Sequence, residues 1–437
     1  MTQVIQLDLL PMVYYNTLGF DKELIDYLDF VDDSIVDELI LPLYKEGGRP
    51  PKRPITQFRA HYLYFIKPEI TSYRHLERML KDPKNQDYRN FIAAPSPKDV
   101  PSHNCMSDFR KKVGIERFYQ IMFHFIAQAL RIDGFLDTNL TSIDSRPLYA
   151  NTAGPKRKRC NCQDKKSCDC PETFTDPDAA VGVQRNKTNM NRYFVGYRKH
   201  TIISRSSQGP VPLLSIVLPA NVHDVDVLLP LVEKLKEVEE LDIEYLVADL
   251  GYYDGDKHIK ALTEHDVIVT TGVKSNAVLP ENVTADLQVL CQADHPLVWD
   301  GFDKKELVSW YKGDEEHCQS CLFSATCDKS FAFSYKENPL IFSPVPQGTE
   351  LHKAMQKFRK QVELNFAQES NSLDSVMRHK KLPVRGLERV QIFAVMADMF
   401  RLIKEMLEHI RQTQIPKLRD KLLKEAYQQQ LTQRWVA

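Results

Sequence analysis

A chain of 437 residues with 43% hydrophobic and 27% charged side chains has the make-up of a globular protein of two or three domains, and its formal net charge of −1 leaves any hold on nucleic acid to local basic patches. No apolar run approaches the ~20 residues of a membrane span, and MTQVIQLDLLPMVYYNTLGFDKE has no basic segment ahead of its apolar stretch, so a cytoplasmic protein without a secretory leader is expected. Nine cysteines, eight of them in two groups, point in that compartment to metal ligation before disulfides.

Residues 1–135 read as a helical domain for DNA binding or dimerisation. GFDKELIDYLDFVDDSIVDELILPLYKEG carries apolar residues at helical spacing and stops at Gly47 and Gly48. The basic, proline-broken GRPPKRP follows. Helices are then predicted at ITQFRAHYLYFI, SYRHLERMLK, NCMSDFRKKVG and IERFYQIMFHFIAQALRI. Arg49 to Arg53, Arg110 to Lys112 and Arg378 to Lys381 are basic segments that suit phosphate contact, although such runs are more often solvated faces.

An α/β domain is expected over 136–412, with insertions at about 151–192 and 276–345 and a polar helical tail at 413–437. LTSID reads as a strand, and GYRKHTIIS and VPLLSIVLPA read as a hairpin joined by SSQGP. DVDVLLPLVEKLKEV is an amphipathic helix with Asp224 placed to cap it. IEYLVADL, HIKALTEH and VIVTTGV make a βαβ unit with a parallel pair. The last helices are TELHKAMQKFRKQVELNFAQ and GLERVQIFAVMADMFRLIKEMLEHIRQ.

Three acids stand out. Asp144, in SIDSRPL, is expected at the end of the first core strand, and Asp249, in LVADLGYYDGD, at the end of the buried one. Carboxylates leaving neighbouring strands side by side repel unless a cation or proton intervenes, and a hard divalent cation takes such oxygens. Singly, each Asp has an ordinary explanation as a turn former or cap. Glu363 sits four residues after Arg359 on one helix, where a surface ion pair is the simple reading.

Taken in this order, the chain resembles the DDE transposases of bacterial insertion sequences. The likeness rests on the GRPP turn, SIDSRPL, GYRKHTIIS with PANVHD, VADLGYYD, and RKQVELNF followed by RGLERVQIFAVMADMF. It implies an α/β, ribonuclease H-like mixed sheet flanked by helices. It implies that Asp144, Asp249 and Glu363 hold two Mg²⁺ ions, or Mn²⁺, for cleavage of transposon ends and transfer of the freed 3′-hydroxyl to target DNA. A homodimer or higher oligomer on DNA follows by the same analogy. Arg359 matches the family's arginine four residues before the glutamate. Gln356 and Ser370 stand where many relatives have a tyrosine and a lysine, and Lys380 or Lys381 is the candidate replacement cation on the DNA end.

Cys318, Cys321 and Cys327 form C-x2-C-x5-C with Cys291 upstream, a set that can close a tetrahedral Zn²⁺ site, with His295 and His317 as rival ligands. Cys160, Cys162, Cys168 and Cys170 form C-x-C-x5-C-x-C in a polar loop, a second candidate zinc set. Lys156, Arg157, Lys158 and Arg159 precede it and suit DNA phosphates. A zinc-dependent regulator would use the cysteines and leave the acids unexplained, whereas a metal nuclease without a joining step would use the acids alone.

Overall fold

The computed structural model describes residues 21–44, 51–152, 154–185, 190–273, 277–371 and 381–436. They form two compact units. One takes the chain up to Leu136, Ser206–Val211 and the chain from Glu369; the other takes Asp137–Arg205 and Pro212–Gln368.

The first unit is helical: α1 (Lys22–Phe30), α2 (Ser34–Ile40), α3 (Pro54–Ile66), α4 (Tyr73–Lys81), α5 (Gln86–Phe91), α6 (His103–Leu130) and a C-terminal helix, Leu387–Val436. The apolar pattern that reads as one helix after Gly19 is divided, because Asp32 and Asp33 find better partners off the helix. Asp32 Oδ1 accepts from Ser34 N at 3.0 Å, and Asp33 accepts from Tyr27 Oη at 3.0 Å and Arg59 Nε at 2.7 Å. Pro54 starts α3 at a position where the missing N–H is harmless. Phe58 of α3 stacks on Phe125 of α6, and Phe400 meets the rings of Phe58 and Tyr62 edge-on at 5.3 and 5.4 Å. The two helical patterns around Gly114 run as one element, jointed where Gly114 takes φ 71°.

The second unit is built on β1 (Leu136–Tyr149), β4 (Ala180–Arg185), β5 (Asn191–Ser206), β6 (Gly209–Pro219), β7 (Tyr245–Val247) and β8 (Ile268–Thr270), after a small ladder of β2 (Arg157–Lys158) and β3 (Glu172–Thr173). The sheet order is β4-β5-β1-β7-β8, with β6 also on β5. β1 and β7 pair in parallel through Leu140↔Tyr245, Thr141↔Leu246 and Ser142↔Val247, and β7 pairs in parallel with β8. Setting β4 aside, the core strands lie in the order third, second, first, fourth, fifth, with helices α7 (Leu228–Lys236) and α8 (Gly255–His265) in the crossovers. That is the ribonuclease H-like arrangement. β4 falls within the stretch that reads as an insertion, yet it extends the core sheet by pairing with β5.

The second insertion has its own antiparallel sheet, β9 (Leu297–Asp303), β10 (Val308–Gly313) and β11 (Ser330–Ser334), with a short helix α9 (Glu315–Gln319). Its small core includes Val289, Leu297, Tyr311 and Phe342, the last stacked on Phe333 at 4.7 Å. Helix α10 (Glu350–Asn371) follows, and Phe358 and Val362 pack its apolar stripe against Ile203 of β5.

Candidate active site and cysteine clusters

Asp144 is not at the end of its strand, since β1 continues to Tyr149. It lies instead just past the end of the parallel pairing. Asp144 and Asp249 each stand two residues beyond the last pair, Ser142↔Val247, so equal offsets carry both carboxylates out on one side of the sheet. Burial, and then the charge of Asp249, push the Asp144 carboxyl up to about 7, against the pull of Ser145 N at 2.7 Å and of Arg359. Asp249 Oδ1 accepts from Gly251 N at 2.8 Å, which opens a short 3-10 turn, Leu250–Tyr252.

Asp224 joins this pair. It begins a 3-10 turn, Asp224–Val227, ahead of α7, and its side chain caps neither that turn nor the helix, contrary to the sequence expectation. Its Oδ2 lies 3.4 Å from Ser145 Oγ, which also receives Arg198 Nη1 at 3.3 Å. Burial raises the Asp224 carboxyl, and the charge of Asp249 adds to the shift. His200 is fully buried on β5, and its Nδ1 meets Tyr252 Oη at 2.8 Å. Burial drives His200 down to about 3, so it stays neutral, while Tyr252 is held well above its ordinary value. The sequence patterns assign no chemistry to Ser145, Arg198, His200 or Tyr252; the signal for them lies in SIDSRPL, GYRKHTIIS and VADLGYYD.

From α10, Arg359 brings Nη1 to 3.9 Å from Asp144 Oδ2. Glu363, one turn further, is exposed and has no hydrogen bond or ion pair among the described residues. The carboxylates of Asp144, Asp249 and Glu363 do not draw within 4.8 Å of one another. Two metal ions ~3.5–4 Å apart spread their ligands more widely than one ion does. Gln356 Nε2 turns to His352 Nε2 at 3.4 Å. Lys380 and the Ser370 side chain lie outside the described residues, and Lys381 is exposed.

Among the described residues one group of three or more His, Cys, Asp or Glu has all its ligand atoms within 4.8 Å: Cys160, Cys162, Cys168 and Cys170. This group could hold a metal ion. The Cys160 and Cys168 sulfurs are 3.5 Å apart, and those of Cys162 and Cys170 are 3.8 Å apart. The Cys162 backbone N–H, and then the Cys168 thiol, hold Cys160 down to about 7, while the thiols of Cys162 and Cys160 push Cys170 up to about 11. Cys291, Cys318, Cys321 and Cys327 line one small cavity together with His295, but at wider spacing. Gly313 leaves room for the Cys318 sulfur, which would stand 2.4 Å from an added Cβ. His317 is engaged by Asp314 at 2.7 Å, with its ring 5.5 Å from that of His295.

The model of a transposase DDE domain matches residues 137–403, and that of a second transposase domain, DUF772, matches residues 17–112. This chain is a DDE transposase. Among solved structures it is similar to a piggyBac transposase synaptic complex with hairpin DNA, at 10% identity and a TM-score of 0.38, over 89% of this chain and 75% of that one. No curated protein matches it.

Many basic residues of the transposase are occupied within its own units. Arg53 pairs with Asp37 at 2.8 Å, and Lys111 with Asp108 at 3.2 Å. Arg110 donates to His61 and lies over the Tyr73 ring at 4.5 Å, and Lys112 lies over the Tyr44 ring. In the cysteine loop, Lys158 reaches the carbonyls of Lys166 and Cys168, and Arg159 reaches Phe174 O at 3.1 Å and Thr175 Oγ1 at 2.8 Å. Lys156 lies 5.3 Å from the Phe174 ring centre, and both it and Arg157 are exposed. Arg49 and Arg378 lie outside the described residues.

Proposed function

We propose that this transposase cleaves the ends of its element and joins them to target DNA, using divalent cations held by Asp144, Asp249 and Glu363. The observation that carries the reading is the pairing of Asp144 with Asp249 at matched offsets from two parallel strands, with Asp144 raised to about 7. Such an acid pair is undercompensated by Arg359 alone, and the all-oxygen donor set fits Mg²⁺ or Mn²⁺. Bound there, two ions would activate the attacking oxygen and stabilise the leaving one.

The remaining work falls to the protein. Arg359 steadies Asp144 and faces any phosphate that approaches it, and Glu363, exposed one turn away, is free to complete the ligand set. Cleavage breaks a phosphodiester P–O bond by attack of water and leaves a 3′-hydroxyl. Joining breaks a target P–O bond by attack of that hydroxyl, with no net change in the number of phosphodiesters. The helical unit is assigned to DNA binding and dimerisation, because two ends must be held at once. Lys156 and Arg157, with Lys381, offer exposed cations to the phosphate backbone. Action on DNA in a cytoplasm accords with there being no described helix long and apolar enough to cross a membrane.

The cysteine clusters are assigned to structural Zn²⁺. Sulfurs at ~2.3 Å around tetrahedral zinc stand about 3.8 Å apart, close to the 3.5 and 3.8 Å seen in the Cys160 group. The wider set of Cys291, Cys318, Cys321 and Cys327 is assigned a second ion.

The test uses Asp249→Ala and Glu363→Gln, each with Mg²⁺ and a DNA bearing the element's ends. Loss of both cleavage and joining by ~10³-fold or more is expected. Cleavage at the wild-type rate in either variant would sink the assignment, and cleavage without joining in the wild type would mark a nuclease.

A further inference from the structure

We propose that Lys353, Lys357 and Lys360 form a phosphate-binding stripe on α10, which holds the DNA strand on the N-terminal side of Glu363 while that strand is cut or joined. This placement rests on the reading of DNA as substrate and of Glu363 as part of its metal site. On a helix of 3.6 residues per turn, positions 353, 357 and 360 fall on one face. Met355, Phe358 and Val362 are buried on the opposite face, and all three lysines are exposed. At 1.5 Å per residue the stripe is about 10.5 Å long, about three steps of ~3.4 Å along one DNA strand. Lys360 lies one turn before Glu363 and next to Arg359, whose guanidinium comes 3.9 Å from Asp144. A strand that enters along α10 with one phosphodiester at Asp144 sets its next phosphates over the lysines.

These charges are poorly compensated within the protein. Between Glu350 and Val362 the sequence has one acid, Glu350, against Lys353, Lys357, Arg359 and Lys360. Like charges three or four residues apart on a helix repel, and both Lys353 with Lys357 and Lys357 with Lys360 are such pairs. Glu350 pairs with Lys353 at 2.8 Å; that bond, and then the more distant charge of Lys357, hold its carboxyl below the ordinary value. Lys357 and Lys360 have no hydrogen bond or ion pair among the described residues, and Glu363, three residues beyond Lys360, does not pair with it. A polyanion laid along the helix removes this repulsion.

The other basic segments differ. Arg53 and Lys111 are paired with acids, and Lys158 and Arg159 are bonded to carbonyls of their own loop. The surface at the stripe is also concave. An open hollow of about 480 Å³ is lined by Glu350, His352, Lys353, Gln356, Lys357 and Lys360.

The test measures binding of the full chain to a duplex carrying one element end, without divalent cation so that the DNA is not cut, over a series of salt concentrations. Lys357→Ala and Lys360→Ala should each reduce the slope of log affinity against log salt by about 0.9, and the double variant by about 1.8. Lys357→Arg and Lys360→Arg should keep the wild-type slope, as should Lys304→Ala, whose lysine is paired with Asp266 at 2.8 Å. The double variant should melt no lower than the wild type, because it removes a repulsion. A wild-type slope in the double variant would overturn the stripe, and so would a lowered melting point, which would assign the lysines to the fold. Glu363→Gln separates the two readings, since it should bind with the wild-type slope and fail to cleave when Mg²⁺ is added. Cleavage by Glu363→Gln at the wild-type rate would overturn the metal reading and the stripe's place beside it, whereas an unchanged slope in the lysine variants overturns the stripe alone.

Discussion

At Gly251 one hydrogen atom stands where any other residue would place a methyl group between two acids. Its backbone is not in the left-handed region, so Gly251→Ala is allowed locally, and the cost arises from crowding Asp224 and Asp249. The variant should weaken Mn²⁺ binding several-fold, while its melting point falls by no more than the few degrees that ~1 kcal/mol produces. Unchanged Mn²⁺ affinity would show that the gap between the acids does not matter. The contrast between the two acids also explains what could be read from the sequence. Asp249 was legible because an acid ending an apolar strand demands a reason. Asp224 was not, because HDVDVLL has the local pattern of a helix start, and only the neighbouring strands turn its carboxylate toward Ser145. Glu363 was visible only through the family pattern, since nothing in its own helix separates it from a surface glutamate.

Elements in this fold are joined by a few polar contacts that sequence periodicity does not encode. Glu77 of α4 accepts from His103 N at 2.8 Å and Nδ1 at 2.7 Å at the start of α6, and from Lys81 at 2.6 Å. Burial alone would raise its carboxyl, but the Lys81 and His103 bonds outweigh that and bring it from 4.5 to about 2. A depressed carboxylate stabilises the fold fully above its unfolded value and loses that contribution as pH falls toward the folded one. Glu77→Gln should therefore lower unfolding stability by about 1–2 kcal/mol near neutral pH, and the difference from the wild type should shrink progressively below about pH 4.5. Urea unfolding across that range checks it; a difference constant with pH would refute the account. The cysteine loop shows the same limit of pattern reading. Ligand spacing favoured C-x2-C, yet the tightest group of thiols is C-x-C-x5-C-x-C, because the β2–β3 ladder folds the loop back on itself. With so little apolar burial around 156–170, its order should depend on the metal. Chelation should open the exposed Lys165 and Lys166 to trypsin without shifting the main melting transition. Equal protection with and without chelator would remove the zinc assignment for that loop.

Across the whole molecule, the two units are not consecutive lengths of chain. The helical unit reclaims Ser206–Val211 from the β5–β6 turn and then the chain from Glu369 onward. Hydrophobic periodicity identified the individual helices and the βαβ crossover, but it contains no information about which late helix serves which core. The C-terminal helix supplies the first unit with Val390, Phe393, Phe400, Leu402, Ile403 and Ile410, all buried. It also ties Arg411 to the buried Asp26 of α1 at 2.6 Å, across most of the sequence. Burying a large apolar side chain is worth about 1.5–3 kcal/mol, so these six alone match the ~5–15 kcal/mol by which a domain is ordinarily stable. Removing their partner would also strand Asp26 as an unpaired buried charge. A chain truncated after Gln368 should therefore lose the helical unit even though every residue of α1 to α6 remains. Hydrogen exchange gives the clearest measure. Amides of α3 and α6 should lose their slow exchange in the truncated chain while those of β1 and β7, whose partners all lie before Gln368, retain theirs. If α6 stays as protected as in the full-length protein, the first unit folds without the C-terminal helix, and the DNA-binding and dimerisation role assigned to it would then be carried by residues before Leu136 alone.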